Sequence, residues 1–251
     1  MQFSKNWLKE FIDIHLSTQD ICHQLTMAGL EVDGYEDIKS KITGNDSIIK
    51  LDITPNRGDC FSVLGVAREL AVINNLKFSL PKINKISESF TDDINLKVCK
   101  DGPIYFGRTI KNISLKSKTL PLIAERLKLS DQKLIDPVVD ITNYILLELG
   151  QPLHAFDRQK LNGNITVRLA EEKEKIILLD DQELELDPSC LVISDEKEAV
   201  AFAGIMGGKA SSVTDKTNSI FLESAFFKPT IIRGKARKFG FQTDASIRFE
   251  R

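Results

Sequence analysis

The sequence has few cysteines, and none of them is paired in a recognisable motif. Cys22, Cys60, Cys99 and Cys190 are widely spaced along the 251 residues. Without a CxxC pair or a dense cysteine framework, the pattern excludes a zinc ribbon and a small disulfide-stabilised secreted domain. We therefore expect a reducing compartment and a cytoplasmic protein.

Long hydrophobic runs and an excess of one charge are also missing. No apolar run approaches the roughly 20 residues of a membrane-spanning helix, and residues 1–9 lack the apolar core of a signal peptide. The 34 basic and 36 acidic residues leave a net charge of -2, which argues against a strongly basic nucleic-acid coat protein. We expect a soluble globular protein without a membrane partner.

Several motifs of common enzyme classes are absent. The sequence contains no GxGxxG or GxxxxGK[ST] nucleotide loop, no HExxH zinc motif and no GxSxG nucleophile elbow. The three histidines, His15, His23 and His154, do not form a ligand set with the cysteines. We expect no metal, no cofactor and no covalent nucleophile in this chain.

The first part of the chain reads as a helix-rich module. Ser17 followed by Asp20 is a capping-box pattern that predicts a helix ending near Gly29, and the first forty residues look helical. Residues 37–47 are polar and predict a loop, residues 48–54 a strand, and residues 63–73 a helix. We place a first module at 1–81 and a polar linker at 82–93.

The remaining chain, 94–251, mixes strands and helices. Helices are predicted at 121–129, where Pro121 lies in the first turn, and as one helix at 229–239. Short β-rich runs are predicted at 104–110, 165–169, 190–194, 199–203 and 220–225. The expected fold class is α+β, with a small helix-rich N-terminal module followed by a mixed domain.

Three segments could carry chemistry. His154 follows a predicted helix end, although an isolated histidine more often makes an ordinary structural bond. The glycines of 203–208 allow close backbone approach to a ligand or simply a tight turn. In the strand at 220–225, Glu223 shares a face with Phe221 and Ala225, so its carboxylate is either paired structurally or held for a ligand.

The predicted C-terminal helix is strongly basic. No acidic residue interrupts the run from Lys228 to Lys238, and such clusters attract phosphate, although a solvated helix face is the commoner explanation. The basic residues that are candidates for binding the phosphates of a nucleic acid are Arg233, Lys235, Arg237 and Lys238.

Several short motifs occur in a fixed order along the chain. Three lie near its start: FSKNWLKE at 3–10, LTMAGLEV at 25–32 and TPNRGDC at 54–60. Five more segments follow, at 138–144, 150–157, 203–208, 222–225 and 243–251. In number and order these motifs resemble the N-terminal half of the β subunit of bacterial phenylalanyl-tRNA synthetases, the first three its first module and the other five its editing domain.

The resemblance implies editing of mischarged tRNA. In this family the editing domain hydrolyses the ester of tyrosine attached to tRNA(Phe), and Glu223 matches the group that reads the tyrosine hydroxyl. The matching catalytic positions are His154, Asn143 and Thr142, and the other substrate-binding positions are Gly204, Gly207, Gly208, Thr243 and Ala245. We expect His154 to position or activate water, helped by a ribose hydroxyl of the tRNA, and the glycine-loop amides to stabilise the oxyanion.

The family context also implies partners. These are the α subunit, the acceptor end of tRNA(Phe) and tyrosine as editing-site ligand, with ATP and Mg²⁺ bound only in the full synthetase complex. This chain alone is not expected to aminoacylate.

Two departures from the family keep alternatives open. The oligonucleotide-binding-fold domain usually inserted between Asp33 and Ile48 is missing, and Asp136-Pro137 replaces two asparagines at an expected pocket edge. The chain could therefore be a non-catalytic tRNA-binding or scaffold module. A free-standing trans-editing deacylase is a third reading.

Overall fold

In the computed structural model all 251 residues are described, and they form two compact units. The first unit contains Met1–Ser87 and Lys118–Gln151, and the second contains Glu88–Ser117 and Pro152–Arg251. Each has its own helices and mainly antiparallel sheets, which confirms the α+β class. The helices are all too short or too polar to span a bilayer.

The first unit combines five helices with a three-stranded antiparallel sheet in the order β1-β3-β2. Its elements are β1 (Gln2–Ser4), α1 (Lys5–Leu8), α2 (Thr18–Met27), β2 (Glu31–Ser40), β3 (Gly44–Asp52), a 3₁₀ helix (Pro55–Cys60), α3 (Val63–Ile73), α4 (Pro121–Leu129) and α5 (Pro137–Leu149).

The capping pattern at Ser17 is confirmed, but the polar loop predicted at 37–47 is wrong. The Ser17 hydroxyl accepts the Asp20 amide at the start of α2. Most of residues 37–47 instead belong to the β2–β3 hairpin, and the helical prediction for the first forty residues is wrong at β1 and β2. The sequence pattern missed this because the hairpin is stabilised by polar contacts: the buried Asp46 carboxylate accepts the Asn6 amide at 2.9 Å, and the Ser47 hydroxyl donates to Asp37 at 2.6 Å.

Residues 118–151 belong to the first unit, which corrects the predicted domain of 94–251. Leu127 on α4 is buried in the first core. On α5, Tyr144 stacks on Trp7 with ring centroids 4.8 Å apart, and Glu148 accepts the Trp7 indole N–H at 3.2 Å. These long-range contacts carry no local sequence signature. The boundary Ser87/Glu88 lies within the predicted linker of 82–93.

Asp136-Pro137 is the start of helix α5. The Asp136 carboxylate accepts the amides of Val138 and Val139 at 2.9 and 3.0 Å, and Pro137 is the first helical residue. Asparagine caps helices as well as aspartate does. The departure from the family pattern at Asp136 therefore keeps the capping chemistry.

The second unit is built from three sheets and three short helices. A five-stranded sheet has the order β12-β11-β10-β7-β4, a three-stranded sheet the order β5-β13-β6, and β8 pairs with β9. The elements are β4 (Leu96–Val98), β5 (Ile104–Lys111), β6 (Leu153–Asp157), a 3₁₀ helix (Arg158–Lys160), β7 (Ile165–Leu169), β8 (Glu174–Ile177), β9 (Glu183–Leu186), β10 (Leu191–Ser194), β11 (Ala199–Phe202), β12 (Met206–Gly207), β13 (Ser219–Phe226), α6 (Pro229–Ile232), α7 (Lys235–Lys238) and α8 (Asp244–Phe249).

The single C-terminal helix predicted at 229–239 is wrong. Gly234 adopts φ +76°, a left-handed conformation, and separates α6 from α7. Ile232 and Ala236 are nevertheless both buried, so the predicted apolar spacing holds across the break.

Candidate active site

Two polar side chains meet at the centre of the three-stranded sheet. Strand β13 lies between β5 and β6, and its Glu223 is directly opposite His154 of β6. On the other side, Glu223 is opposite Gly107 of β5. Directly opposed residues point to the same face of a sheet, so the register brings the glutamate and the histidine together.

Glu223 is a buried carboxyl group with a single hydrogen-bond partner. The residue is 6% exposed, and its same-face neighbours Phe221 and Ala225 are buried. The Tyr105 hydroxyl donates to Oε2 of Glu223 at 3.1 Å. Burial raises the pKa of Glu223 to about 8, and the Tyr105 hydrogen bond opposes this rise. The carboxyl group is therefore largely protonated at neutral pH when no ligand is bound.

His154 is a neutral imidazole at neutral pH. Its Nε2 is buried without a hydrogen-bond partner in the protein, although the residue as a whole keeps some surface. Burial lowers the pKa of His154 to about 4. The ring lies edge-on to Phe156, with centroids 4.4 Å apart and planes at 85°. An unpartnered buried nitrogen is uncommon, and Nε2 keeps an unused capacity to accept a hydrogen bond.

The glycine segment packs directly against this histidine. A Cβ atom on Gly207 would lie 2.3 Å from Cε1 and 2.5 Å from Nε2 of His154, so only glycine allows the observed approach. Gly204 adopts φ +71°, a conformation that favours glycine. Gly207 is therefore required by the close contact with the imidazole and not only by the turn.

Only some amides of the glycine segment are free to bind an anion. Gly208 donates its N–H to the Val200 carbonyl at 2.8 Å, and Ile205 donates to Phe202 at 3.0 Å. These two amides belong to the fold and cannot serve as the predicted oxyanion donors. The Gly204 amide has no acceptor within the protein.

Helix α8 forms the wall next to the glycine segment. Thr243 caps this helix in a capping box with Ser246. The Thr243 hydroxyl also donates to the Ile205 carbonyl at 2.9 Å. This places Ala245 and Phe249 of α8 at the edge of the site.

These elements line one open cavity, whose empty space of about 410 Å³ includes the solvent at its mouth. Its lining residues are Pro152, Leu153, His154, Ile193, Ala201, Phe202, Gly204, Ile205, Met206, Gly207, Glu223, Ala245 and Phe249. Apolar walls around two convergent polar groups suit an aromatic ligand that carries one polar substituent.

The structure brings together most of the residues predicted for this site. Five of the predicted residues line the cavity: His154, Glu223, Gly204, Gly207 and Ala245. Gly208 and Thr243 adjoin it through the backbone contacts described above. Thr142 and Asn143 lie on α5 of the first unit and are not among the cavity's lining residues, so their catalytic role stays a prediction.

Sequence reasoning missed Tyr105. It lies on β5 two residues before Gly107, so it is diagonal to Glu223 across the strand pair. Nothing in the local sequence links residues separated by 118 positions. A strand tyrosine at 104–110 was recognisable, but its partner was not.

The predicted tRNA-binding residues have mixed surroundings. Lys235 donates to the Ser189 hydroxyl at 2.7 Å, Lys238 is paired with Asp187, and Arg233 donates to the Glu250 carbonyl. Arg237 is exposed without a partner. The cluster is therefore partly neutralised, and its role in tRNA binding stays a prediction.

Another cluster of potential metal ligands is held by a guanidinium group. Asp59, Cys60 and Glu69 converge in the first unit. Arg57 donates to Asp59 at 3.1 Å, to Glu69 at 2.9 Å and to the Cys60 sulfur at 3.1 Å. The cationic Arg57 side chain therefore already bonds all three potential ligands.

The chain is similar to known proteins in sequence. Relatives are the phenylalanine--tRNA ligase beta subunits of Idiomarina loihiensis and Photorhabdus laumondii, 51% and 50% identical over 218 residues, or 86% of this chain. The subunit of Acinetobacter baylyi is 49% identical over 215 residues. The chain spans 27% of the length of these curated relatives.

A solved structure is similar over much of the chain. It is an N-terminal fragment of the phenylalanyl-tRNA synthetase beta subunit from Pyrococcus horikoshii, with a TM-score of 0.44 and 19% identity, covering 90% of this chain and 67% of that one. The family model described as the B3/4 domain matches residues 101–251, which include the strands carrying Tyr105, His154 and Glu223. Because that match covers more than half of the sequence, the chain belongs to the B3/4 domain family.

Proposed function

We propose that this chain is the editing module of a phenylalanine--tRNA ligase beta subunit and hydrolyses the ester of tyrosine mischarged on tRNA(Phe). The observation that carries the proposal is the pairing of Glu223 and His154 at one apolar cavity. The contacts that these two side chains make within the protein do not explain why both are buried: Glu223 has one hydrogen bond, and Nε2 of His154 has none. The name of the chain's relatives, phenylalanine--tRNA ligase beta subunit, supplies the class of substrate.

Glu223 supplies the selectivity for tyrosine. A synthetic site shaped for phenylalanine rejects an added hydroxyl only weakly, whereas a site that hydrogen-bonds the hydroxyl discriminates strongly against the analogue without it. Oε2 of Glu223 is engaged by Tyr105. Oε1 has no partner in the protein and can bond the phenol of a tyrosyl group.

His154 positions the attacking water. An imidazole whose pKa is about 4 is a weak base at neutral pH, so we assign it hydrogen-bond acceptance rather than full proton removal. Nε2 accepts from the water when Nδ1 carries the ring proton. Water then adds to the ester carbonyl, and cleavage releases tyrosine and the tRNA hydroxyl.

The Gly204 amide is the donor best suited to the oxyanion. It borders the cavity and is not used by the backbone hydrogen bonds that engage Gly208 and Ile205. Preorganised backbone donors of this kind stabilise a developing oxyanion strongly. The proposed reaction needs neither a metal ion nor a covalent nucleophile.

The relatives suggest the surroundings of this module. We propose an α-subunit partner, contact with the acceptor end of tRNA(Phe), and a cytoplasmic location. ATP and Mg²⁺ would act in the full synthetase complex and not in this chain. Arg233, Lys235, Arg237 and Lys238 are proposed contacts to tRNA phosphates, while Thr142 and Asn143 are proposed to contribute to catalysis.

Deacylation of matched tRNA(Phe) charged with tyrosine or phenylalanine tests the proposal. The chain should release tyrosine and spare phenylalanine. His154→Ala should slow tyrosine release roughly 100-fold, because misplacing a reactant by about 1 Å has effects of this size. Glu223→Ala should remove the preference for tyrosine.

Matched substitutions control for general damage. His23→Ala and Glu185→Ala change exposed residues of the same types and should leave both rates unchanged. Tyrosine release that survives both His154→Ala and Glu223→Ala at the unmodified rate contradicts the site assignment. Binding of charged tRNA without turnover would instead support the non-catalytic alternative.

A further inference from the structure

The two oxygens of Glu223 have different surroundings. Tyr105 engages Oε2 at 3.1 Å. Oε1 makes no hydrogen bond within the protein, yet it is not among the fully buried unpartnered atoms, and Glu223 lines the cavity. One oxygen is therefore fixed by the protein, and the other is presented to a ligand.

Tyr105 is itself held in place. It is 8% exposed and belongs to the core of the second unit. The Phe221 ring packs over Gly107 of the same strand, where an added Cβ atom would lie 2.1 Å from that ring. Burial and the neighbouring Glu223 raise the pKa of Tyr105 well above its ordinary value, so its hydroxyl remains a donor across the physiological pH range.

We propose that Tyr105 is a specificity-determining positioning residue: its hydroxyl fixes Oε2 of Glu223 so that Oε1 faces the hydroxyl of a bound tyrosyl group. This inference rests on the proposed editing function. Tyr105 acts through Glu223 and does not touch the reacting ester.

Removing the Tyr105 hydroxyl frees the carboxyl group to rotate. A buried carboxyl group without a fixed partner can rotate and turn Oε1 away from the ligand. The selectivity for a substrate hydroxyl then weakens. The water position near His154 is unchanged. Of the titratable residues on the two strands paired with β13, Tyr105 and His154 lie nearest to Glu223 on its face of the sheet. Arg108 and Asp157 alternate to the opposite face, and Lys111 is four residues beyond Gly107. Only Tyr105 contributes to the pKa of Glu223 apart from burial, and it lowers that pKa.

Tyr105→Phe tests this role with little change in volume. The ratio of kcat/KM for tyrosyl-tRNA(Phe) to that for phenylalanyl-tRNA(Phe) should fall roughly 10-fold, as expected for a lost hydrogen bond to a charged or ionisable group. The rate on phenylalanyl-tRNA(Phe) should not fall. The midpoint of the pH dependence of this ratio should also move to higher pH.

An exposed tyrosine provides a matched control. Tyr35→Phe changes an exposed tyrosine of the first unit and should alter nothing. An equal loss on both substrates without a pH shift would mean a purely structural role and overturn the inference, as would no change at all.

The inference and the proposed function can fail separately. If the unmodified chain shows no preference for tyrosyl-tRNA(Phe), the proposed function fails. Isotope-edited infrared titration of the Glu223 carboxyl then still tests the Tyr105 contact. A protonation midpoint that is unchanged in Tyr105→Phe overturns the inference, whereas an upward shift supports the positioning of Glu223 by Tyr105.

Discussion

At the scale of single residues, burial shifts two neighbouring groups in opposite directions. The pKa of Glu223 rises to about 8, while the pKa of His154 falls to about 4. Both shifts favour the uncharged form, because each group loses hydration without gaining a counter-charge. The empty site is therefore close to neutral at neutral pH, which suits an uncharged aromatic side chain.

Burial of Glu223 predicts a pH-dependent stability difference. Its pKa is raised from 4.5 to about 8, so the folded protein holds a proton that the unfolded chain releases above about pH 5. Stability from this group is fully present below the unfolded pKa and is lost as pH rises through the folded pKa. Glu223→Gln should remove this decline, which amounts to roughly 4–5 kcal/mol for a pKa shift of this size.

Urea unfolding of both proteins at a series of pH values measures this difference. His154 contributes in the opposite sense, since its stabilising effect is lost as pH falls through about 4, and it is common to both proteins. Parallel stability curves between about pH 5 and pH 9 would contradict the buried, protonated state of Glu223.

At the scale of elements, strand register determines the site. The alternation in 220–225 predicted correctly that Phe221, Glu223 and Ala225 share a buried face. The sequence could not indicate that β13 pairs with β6 and β5 in the register that brings His154 and Tyr105 to Glu223. Pairing of distant strands depends on the whole core, so local patterns predict the element and not its neighbours.

The contact between β12 and His154 predicts a coupling between two substitutions. Gly207→Ala should destabilise the protein by about 1–3 kcal/mol, because the added methyl group overlaps the imidazole. In a His154→Ala background this cost should largely disappear. A double-mutant cycle from urea unfolding measures the coupling.

Gly208→Ala provides the matched comparison for that cycle. Its added methyl group would lie 2.6 Å from the Val200 carbonyl oxygen, a backbone atom that His154→Ala does not remove. Its cost should therefore be the same in both backgrounds. Equal costs of Gly207→Ala in the two backgrounds would show that the imidazole is not the obstacle.

At the scale of the whole molecule, each of the two units has its own hydrophobic core, and each is built from two separate segments of the sequence. One crossing between the units, at Ser87/Glu88, lies in the polar segment at 82–93, but the chain returns to the first unit for Lys118–Gln151. Helix α4 was recognisable from its amphipathic pattern at 121–129, and the end of α5 from the Gly150 that follows it. Which core they complete was not, because Trp7 and Tyr144 are separated by most of the chain.

Trp7 makes this division measurable, since it is the only tryptophan and lies fully buried in the first core. Leu127→Ala removes a buried side chain from α4 and should cost about 2–5 kcal/mol. If α4 completes the first core, this substitution should lower the denaturant midpoint of the Trp7 fluorescence transition. Leu178→Ala makes the same change at an equally buried position of the second core and should move the Trp7 transition less. The reverse order would assign residues 118–151 to the second unit, since the fluorescence of Trp7 follows the core in which it is packed.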